Sequence, residues 1–273
     1  MCLRHSRIAW LLTFGLIFGA PQLGHAGNVF LSGHDPDFHA LLGSNASGAQ
    51  DIIERGLDFV RDSNTAPILL LESGTENLAL GDHSDSEQGL IASGYTSGST
   101  PGNHYVKVSA AQFATTDLAL YSALFIPSDH GGTLTGNDLA ALDGRAAAIA
   151  AYLAEGGGLI AFAEDGDRVP APGNPQPQNY GFVPLSLSSG ALGQSEVGFL
   201  LSPFGASLGL APTDINGNAS HSFFSTTGGL NPVDFDAAGD IISIAGTVVP
   251  EPSTALLLGS GLMVVARMWR RSR

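Results

Sequence analysis

The sequence predicts an α/β domain, a mainly parallel sheet with helices on both faces, that gives way to an irregular, β-rich C-terminal third. Three observations predict it. Short continuous apolar runs at residues 68–71, 123–127 and 159–163 read as strands buried on both faces. Segments of helical period lie between them. Beyond Pro170 the helical period fades, and proline, glycine, serine and threonine take over. Alternating strands and helices bury their apolar faces as a three-layer sandwich.

Taken in order, the chain opens with Arg4, His5 and Arg7, an apolar stretch at 8–20, and the small-residue ending Gly24-His25-Ala26. This is the pattern of a secretory signal peptide, removed by signal peptidase, so residues 1–26 are expected to leave and Gly27 to begin the mature protein. Cys2 leaves with them. The remainder holds no cysteine, which excludes disulfides, thiolate chemistry and cysteine-based zinc sites.

Residues 28–31 (N-V-F-L) read as a first strand, running into a polar loop, Ser32 to His39, interrupted by Gly33 and Pro36. Residues 49–62 read as an amphipathic helix, with Ile52, Ile53, Leu57 and Val60 on one face and Asp51, Glu54, Asp58 and Arg61 on the other. The strand at 68–71 ends at Glu72-Ser73-Gly74, and the polar stretch 77–103 reads as a surface insertion. A strand at 105–108 and a short helix or turn at 110–116 precede the strand at 123–127, which opens into Ser128-Asp129-His130-Gly131-Gly132. Thr135, with Asp138 three residues on, is placed to cap a helix over 137–154 that Gly156, Gly157 and Gly158 stop. The strand at 159–163 ends in Glu164-Asp165-Gly166-Asp167. The unit 118–164 is the best case for a right-handed crossover. Residues 170–184, with five prolines, read as loop. Segments 193–210, 216–229 and 240–248 read as β or irregular, with a last strand at 241–245 and a linker at 248–252.

The tail closes the organisation. Pro250, Glu251 and Pro252 precede an apolar run at 254–266, followed by Arg267, Trp269, Arg270, Arg271 and Arg273. The arginines stay cytoplasmic by the positive-inside rule, which puts everything before Pro250 outside the cytoplasm. A membrane helix over about 254–269 is shorter than the roughly 20 residues of a full span and suits a temporary anchor. The organisation is therefore 1–26 signal, 27–248 exported α/β domain and 249–273 tail.

Between Gly27 and Val248 there are 5 basic and 24 acidic residues, a formal charge of −19. Such a surface repels nucleic acid and anionic lipid and attracts divalent cations. In an open parallel sheet, ligands bind beyond the carboxyl ends of the strands. The polar residues expected there are His34, Asp35, Asp37 and His39 after the first strand, Glu72 after the second, Asp129 and His130, and Glu164, Asp165 and Asp167. Histidine with carboxylates suits an oxygen and nitrogen site for a divalent ion, with His34, Asp35, His39, Asp129 and His130 as its ligands. The same groups suit general acid–base work. In an acidic protein they serve equally as turn formers and solvated charge. His83 and His104 are expected to be exposed, and His221, in Ser-His-Ser-Phe-Phe, is a weaker candidate. A Ser-His-Asp triad built on Ser32 or Ser73 is the weakest of these readings.

The tail, through Pro250-Glu251-Pro252, the apolar run with Gly259 and Gly261, and the terminal arginines, resembles the PEP-CTERM sorting signal of Gram-negative bacteria. The resemblance implies cleavage by an exosortase near the Pro-Glu-Pro motif and delivery to the cell envelope, with exopolysaccharide as a candidate partner. Residues 121–163 resemble the class I glutamine amidotransferase-like fold, especially its trehalose-utilisation-type branch. An apolar strand, the Gly131-Gly132 turn, a threonine-led helix, Tyr152 to Gly158 and a further strand carry that resemblance. It implies a flavodoxin-like sheet. It does not imply the activity, because the nucleophilic cysteine is missing. The reading is a non-enzymatic envelope or matrix protein that binds polysaccharide or divalent cations, and the alternative is a hydrolase-like enzyme at the strand-end cluster.

Overall fold

A computed structural model describes residues 26–73, 86–128, 134–162, 180–195 and 197–248. The expected signal segment, the stretches carrying Asp129, His130, Glu164 and Asp165, and the tail with Pro250, Glu251 and Pro252 lie outside the described residues.

The first half is the expected parallel sheet. Strands β1 (Gly27–Ser32), β2 (Ile68–Leu71), β3 (Thr96–Ser97), β4 (His104–Val108), β5 (Ala123–Ile126) and β6 (Gly158–Phe162) lie in the order β3-β4-β2-β5-β6-β1, all parallel. The runs at 68–71 and 123–126 are neighbours, Ile68 opposite Ala123. In the flavodoxin-like order the first strand sits between the second and third. Here β4, β2, β5 and β6 follow that order, and the N-terminal strand β1 occupies the place of the last strand.

Alternation along the strands explains the three layers. Val29, Leu31, Leu69, Leu71, Leu124, Ile126, Leu159 and Ala161 share one core with Phe113, Leu139, Leu142, Ile149 and Leu153, from α4 (Ala110–Phe113), α5 (Gly136–Gly144) and α6 (Ala146–Ala154). Phe30, Ile68, Leu70, Ala123, Phe125, Ile160 and Phe162 point the other way, onto Ile52, Ile53, Leu57 and Val60 of α2 (Ala46–Arg61). Asn45 caps α2 by accepting from Gly48 N–H at 3.2 Å. The cap expected at Thr135 is present, its hydroxyl accepting from Asp138 N–H at 3.2 Å.

Three expectations are corrected. The polar stretch at 32–39 is not all loop, because α1 (Pro36–Leu42) begins there. Pro36 stands in the first helical turn, where its missing N–H costs nothing and its fixed φ suits the helix. The helix expected over 137–154 is two helices, α5 and α6, broken at Arg145 (φ −113°, ψ 13°). Gly144 weakens the helix there, and the Arg145 guanidinium leaves to donate to the carbonyls of Phe113 and Thr116, stacking over the Phe113 ring at 5.0 Å. The described end of the stretch at 77–103 is more than a surface insertion. It holds α3 (Ser86–Ala92), whose Ser86, Gly89 and Leu90 are buried, and the short strand β3.

The second half is antiparallel. It consists of β7 (Leu187–Ser195), β8 (Leu200–Leu201), α7 (Pro203–Ser207), α8 (Pro212–Ile215), β9 (Ser220–Thr227), β10 (Asn231–Phe235) and β11 (Ile241–Val248). β11 pairs with the whole of β1, Gly27 opposite Val248 and Ser32 opposite Ser243, which fuses both halves into one sheet. Among the described residues, no helix is long and apolar enough to cross a membrane, and the expected membrane helix at 254–269 lies outside them.

Candidate functional site

Beyond the carboxyl end of β1 the chain is pinned to the antiparallel half. Gly33 N–H donates to Ile242 O at 2.7 Å, and Gly33 O accepts from His221 N–H at 2.8 Å. A β-carbon on residue 33 would lie 1.9 Å from Ser222 O, so only glycine fits this crossing. The fit carries His34 into the interior beside β9 and β10, where it forms a bridge with Ser220.

His34 is 0% exposed. Its Nδ1 lies 3.2 Å from Asn218 O and 3.1 Å from Ala219 O, two groups that only accept, so Nδ1 carries a proton. Its Nε2 lies 2.7 Å from Asp234 Oδ2. Burial pushes the His34 pKa down, but the charge and hydrogen bond of Asp234 and the two carbonyls outweigh it, and the net direction is up. At Nε2 the ring faces the Asp234 carboxyl, and both groups are sealed from water.

Asp35, 1% exposed, lies between two histidines. Its Oδ1 is 3.2 Å from His39 Nε2, and its Oδ2 is 3.4 Å from His221 Nε2. Burial acts to raise its pKa, and the hydrogen bonds and charges of His221 and His39 hold it below the usual carboxylate value. His39 Nε2 also faces Ala219 N–H at 3.3 Å. One nitrogen cannot both donate to Asp35 and accept from Ala219, so the tautomer of this ring decides which neighbour it engages.

Asp37 forms a third group. Its Oδ2 accepts from Ser86 Oγ at 2.6 Å, Ser128 N–H at 3.0 Å and Ser128 Oγ at 3.2 Å. Its Oδ1 is buried without a hydrogen-bond partner. Burial, with the Asp35 charge adding to it, raises its pKa despite the three donors. A β-carbon on Gly89 would lie 2.4 Å from Asp37 O, so this glycine lets α3 bring Ser86 close enough to donate. Glu72, after β2, accepts from Glu87 N–H at 3.1 Å.

Of the strand-end candidates read from sequence, His34, Asp35, Asp37, His39 and Glu72 are described, and all five are 0–6% exposed. They are not solvated turn charges. The structure brings Asp35 and His39 together, sends His34 to Asp234 and turns Asp37 to the serines. Asp129, His130, Glu164 and Asp165 lie outside the described residues. His221 joins Asp35, and Asp234, Ser86 and Ser128 join the cluster from elements 49 to 200 residues away from their partners. The weak signal for His221 was its place between serines beside a Phe-Phe pair. His104, expected to be exposed, is half-buried in β4. Among the described residues, no group of three or more His, Cys, Asp or Glu is arranged to hold a metal ion.

A family model described as PEP-CTERM protein-sorting motif matches residues 248–272. No curated protein and no solved structure matches the chain. The chain ends in a PEP-CTERM protein-sorting motif, which supports an exported protein of the envelope or extracellular space that is processed by an exosortase.

Proposed function

We propose that this chain is a cell-envelope or extracellular-matrix protein, exported by its signal peptide, held briefly by the helix at 254–269 and released by cleavage near Pro250, Glu251 and Pro252, and that its α/β body is non-catalytic. One observation carries the last point. Among the described residues, the three histidines of the strand-end cluster face carboxylates in the interior, His34 against Asp234, and His39 and His221 against Asp35. An acid or base must reach its substrate to act. With no thiol between Gly27 and Val248, the amidotransferase chemistry has no nucleophile either. The order of β4, β2, β5 and β6 favours a flavodoxin-like sheet as the scaffold, with β1 in the last place. The body's charge of −19 favours divalent cations, and through them polysaccharide, as its surface partners.

Fractionation of cells expressing the chain with a tag after Ala26 and another at Arg273 tests export and processing. The expected result is the first tag outside the cytoplasm on a product that has lost the second. Both tags on one cytoplasmic chain would overturn the reading.

A second reading, a hydrolase-like enzyme, is favoured by Asp37, a buried carboxyl of raised pKa with one oxygen unpartnered at the strand ends. Turnover of ester or glycoside substrates by the purified processed protein, lost in Asp37→Asn, would establish it in place of the first.

A further inference from the structure

A cleft of about 550 Å³ opens at the other end of the sheet. Ala150 and Ala154 of α6, Leu185 and Ser186 ahead of β7, Gly228 and Gly229 of the β9–β10 turn, and Thr247 and Val248 of β11 line it, with no charged residue among them. In a body of charge −19, the described lining of this opening carries no charge. Its position follows from the register: Val248 faces Gly27 at the amino end of β1, whereas the His–Asp network lies beyond the carboxyl end, about 20 Å away at roughly 3.3 Å per residue.

We infer that this cleft is the docking surface for the membrane-bound processing enzyme, receiving an uncharged segment of it while the chain is cut. The inference rests on the proposed processing near Pro250 to Pro252. Val248 is buried and held in the sheet by its pairing with Gly27, so it is a fixed point. Residues 250–252 are two to four residues further on, and a fully extended chain advances at most about 3.6 Å per residue. Any catalytic group that cuts there works within about 15 Å of Val248, and the surface around that group must meet the face that Val248 shares with the cleft. A tether this short makes contact between enzyme and body obligatory. A surface of charge −19 repels any acidic partner, and the described lining of the cleft, which carries no charge, adds nothing to that repulsion where the two must touch.

The test uses the full chain in a host that cuts it, reading loss of the C-terminal tag with time. Ala154→Trp and Ser186→Trp fill the cleft, and each is expected to slow processing tenfold or more. Asp58→Asn, on the exposed face of α2, is expected to leave the rate unchanged. Inserting 12 Gly/Ser residues after Val249 frees the cut site from the body, so the two tryptophan variants are then expected to be processed at the wild-type rate. That rescue also shows that they fold. Wild-type processing of the tryptophan variants without the insert would overturn the inference and leave the processing reading standing. Slow processing that the insert does not restore overturns it as well, since the lesion then lies elsewhere. Slowing by Ala154→Glu but not by Ala154→Trp would assign the face to lipid headgroups instead of an enzyme. A wild-type chain that keeps its C-terminal tag would overturn both readings together.

Discussion

At the residue scale the molecule concentrates its cost in a few buried ionic groups. His34 and Asp234 lie entirely inside, where removing two charges from water costs several kcal/mol each and their attraction does little more than offset that. The pair therefore adds little to net stability, yet losing one partner strands the other. Asp234→Asn is expected to cost about 3–5 kcal/mol, read as a drop in the urea midpoint. The pH dependence makes the test specific. The folded pKa of His34 is raised, so the pair's contribution is fully present below the ordinary histidine value of about 6.5 and lost as pH rises through the higher folded value. Wild-type stability should decline over that alkaline window, and Asp234→Asn should lack the decline. An unchanged slope in the variant would show that His34 does not titrate with Asp234.

At the scale of elements, glycine contacts decide what can approach what. β1 runs into the site only because Gly33 slips between β9 and β11, accepting from His221 N–H on one side and donating to Ile242 O on the other. Gly33→Ala puts a methyl 1.9 Å from Ser222 O, a contact that backbone must move to relieve. The expected cost is about 3 kcal/mol, the upper part of the range for overpacking. The shift should also draw His34 away from Asp234, so the variant should lose the same alkaline decline as Asp234→Asn. Gly33→Ala melting like the wild type would show that the crossing is slack. The two helices on either side of Arg145 make the same point in another way. A single helix over 137–154 satisfies local propensity, but the guanidinium does more by crossing to the carbonyls that end α4.

At the scale of the whole molecule, one strand pairing joins two kinds of sheet. Six parallel strands end at β1, and β11 joins them to the antiparallel half through six residue pairs. The His–Asp network sits across the same junction, with α1 on one side and β9 and β10 on the other. The asparagine at the start of α2 adds a further tie, Asn45 Nδ2 donating to Thr213 O at 2.6 Å and Asn216 O at 2.8 Å. A body of charge −19 with only five basic residues repels itself, and dissolved salt screens that repulsion with a Debye length of about 10 Å at 0.1 M. The melting temperature of the exported protein is expected to rise by several degrees between 10 and 300 mM sodium chloride. Calcium at equal ionic strength should raise it further if cations bind the acidic surface. A flat response to sodium chloride would mean that the carboxylates are spaced too widely to repel.

The sequence by itself determined the parts that local chemistry controls. Continuous apolar runs at 68–71, 123–127 and 159–163 announced strands buried on both faces, because only such strands need no polar side. Ile52, Ile53, Leu57 and Val60 announced the buried stripe of α2 by their spacing. Thr135 and Asp138 announced a cap, and the tail announced its sorting motif, since each is read within a few residues. The tertiary structure alone decided the rest. That β1 lies beside β6 and β11 depends on where the chain returns after 130 and 210 residues, and no local pattern records such a return. The strand-end cluster was legible as a set of residue types, His34, Asp35, Asp37 and His39. Its pairing was not legible, because Asp234, His221, Ser86 and Ser128 reach it from distant elements. The burial of that cluster was equally hidden: a histidine or aspartate in a polar stretch reads as solvated until the packing of other segments removes the water.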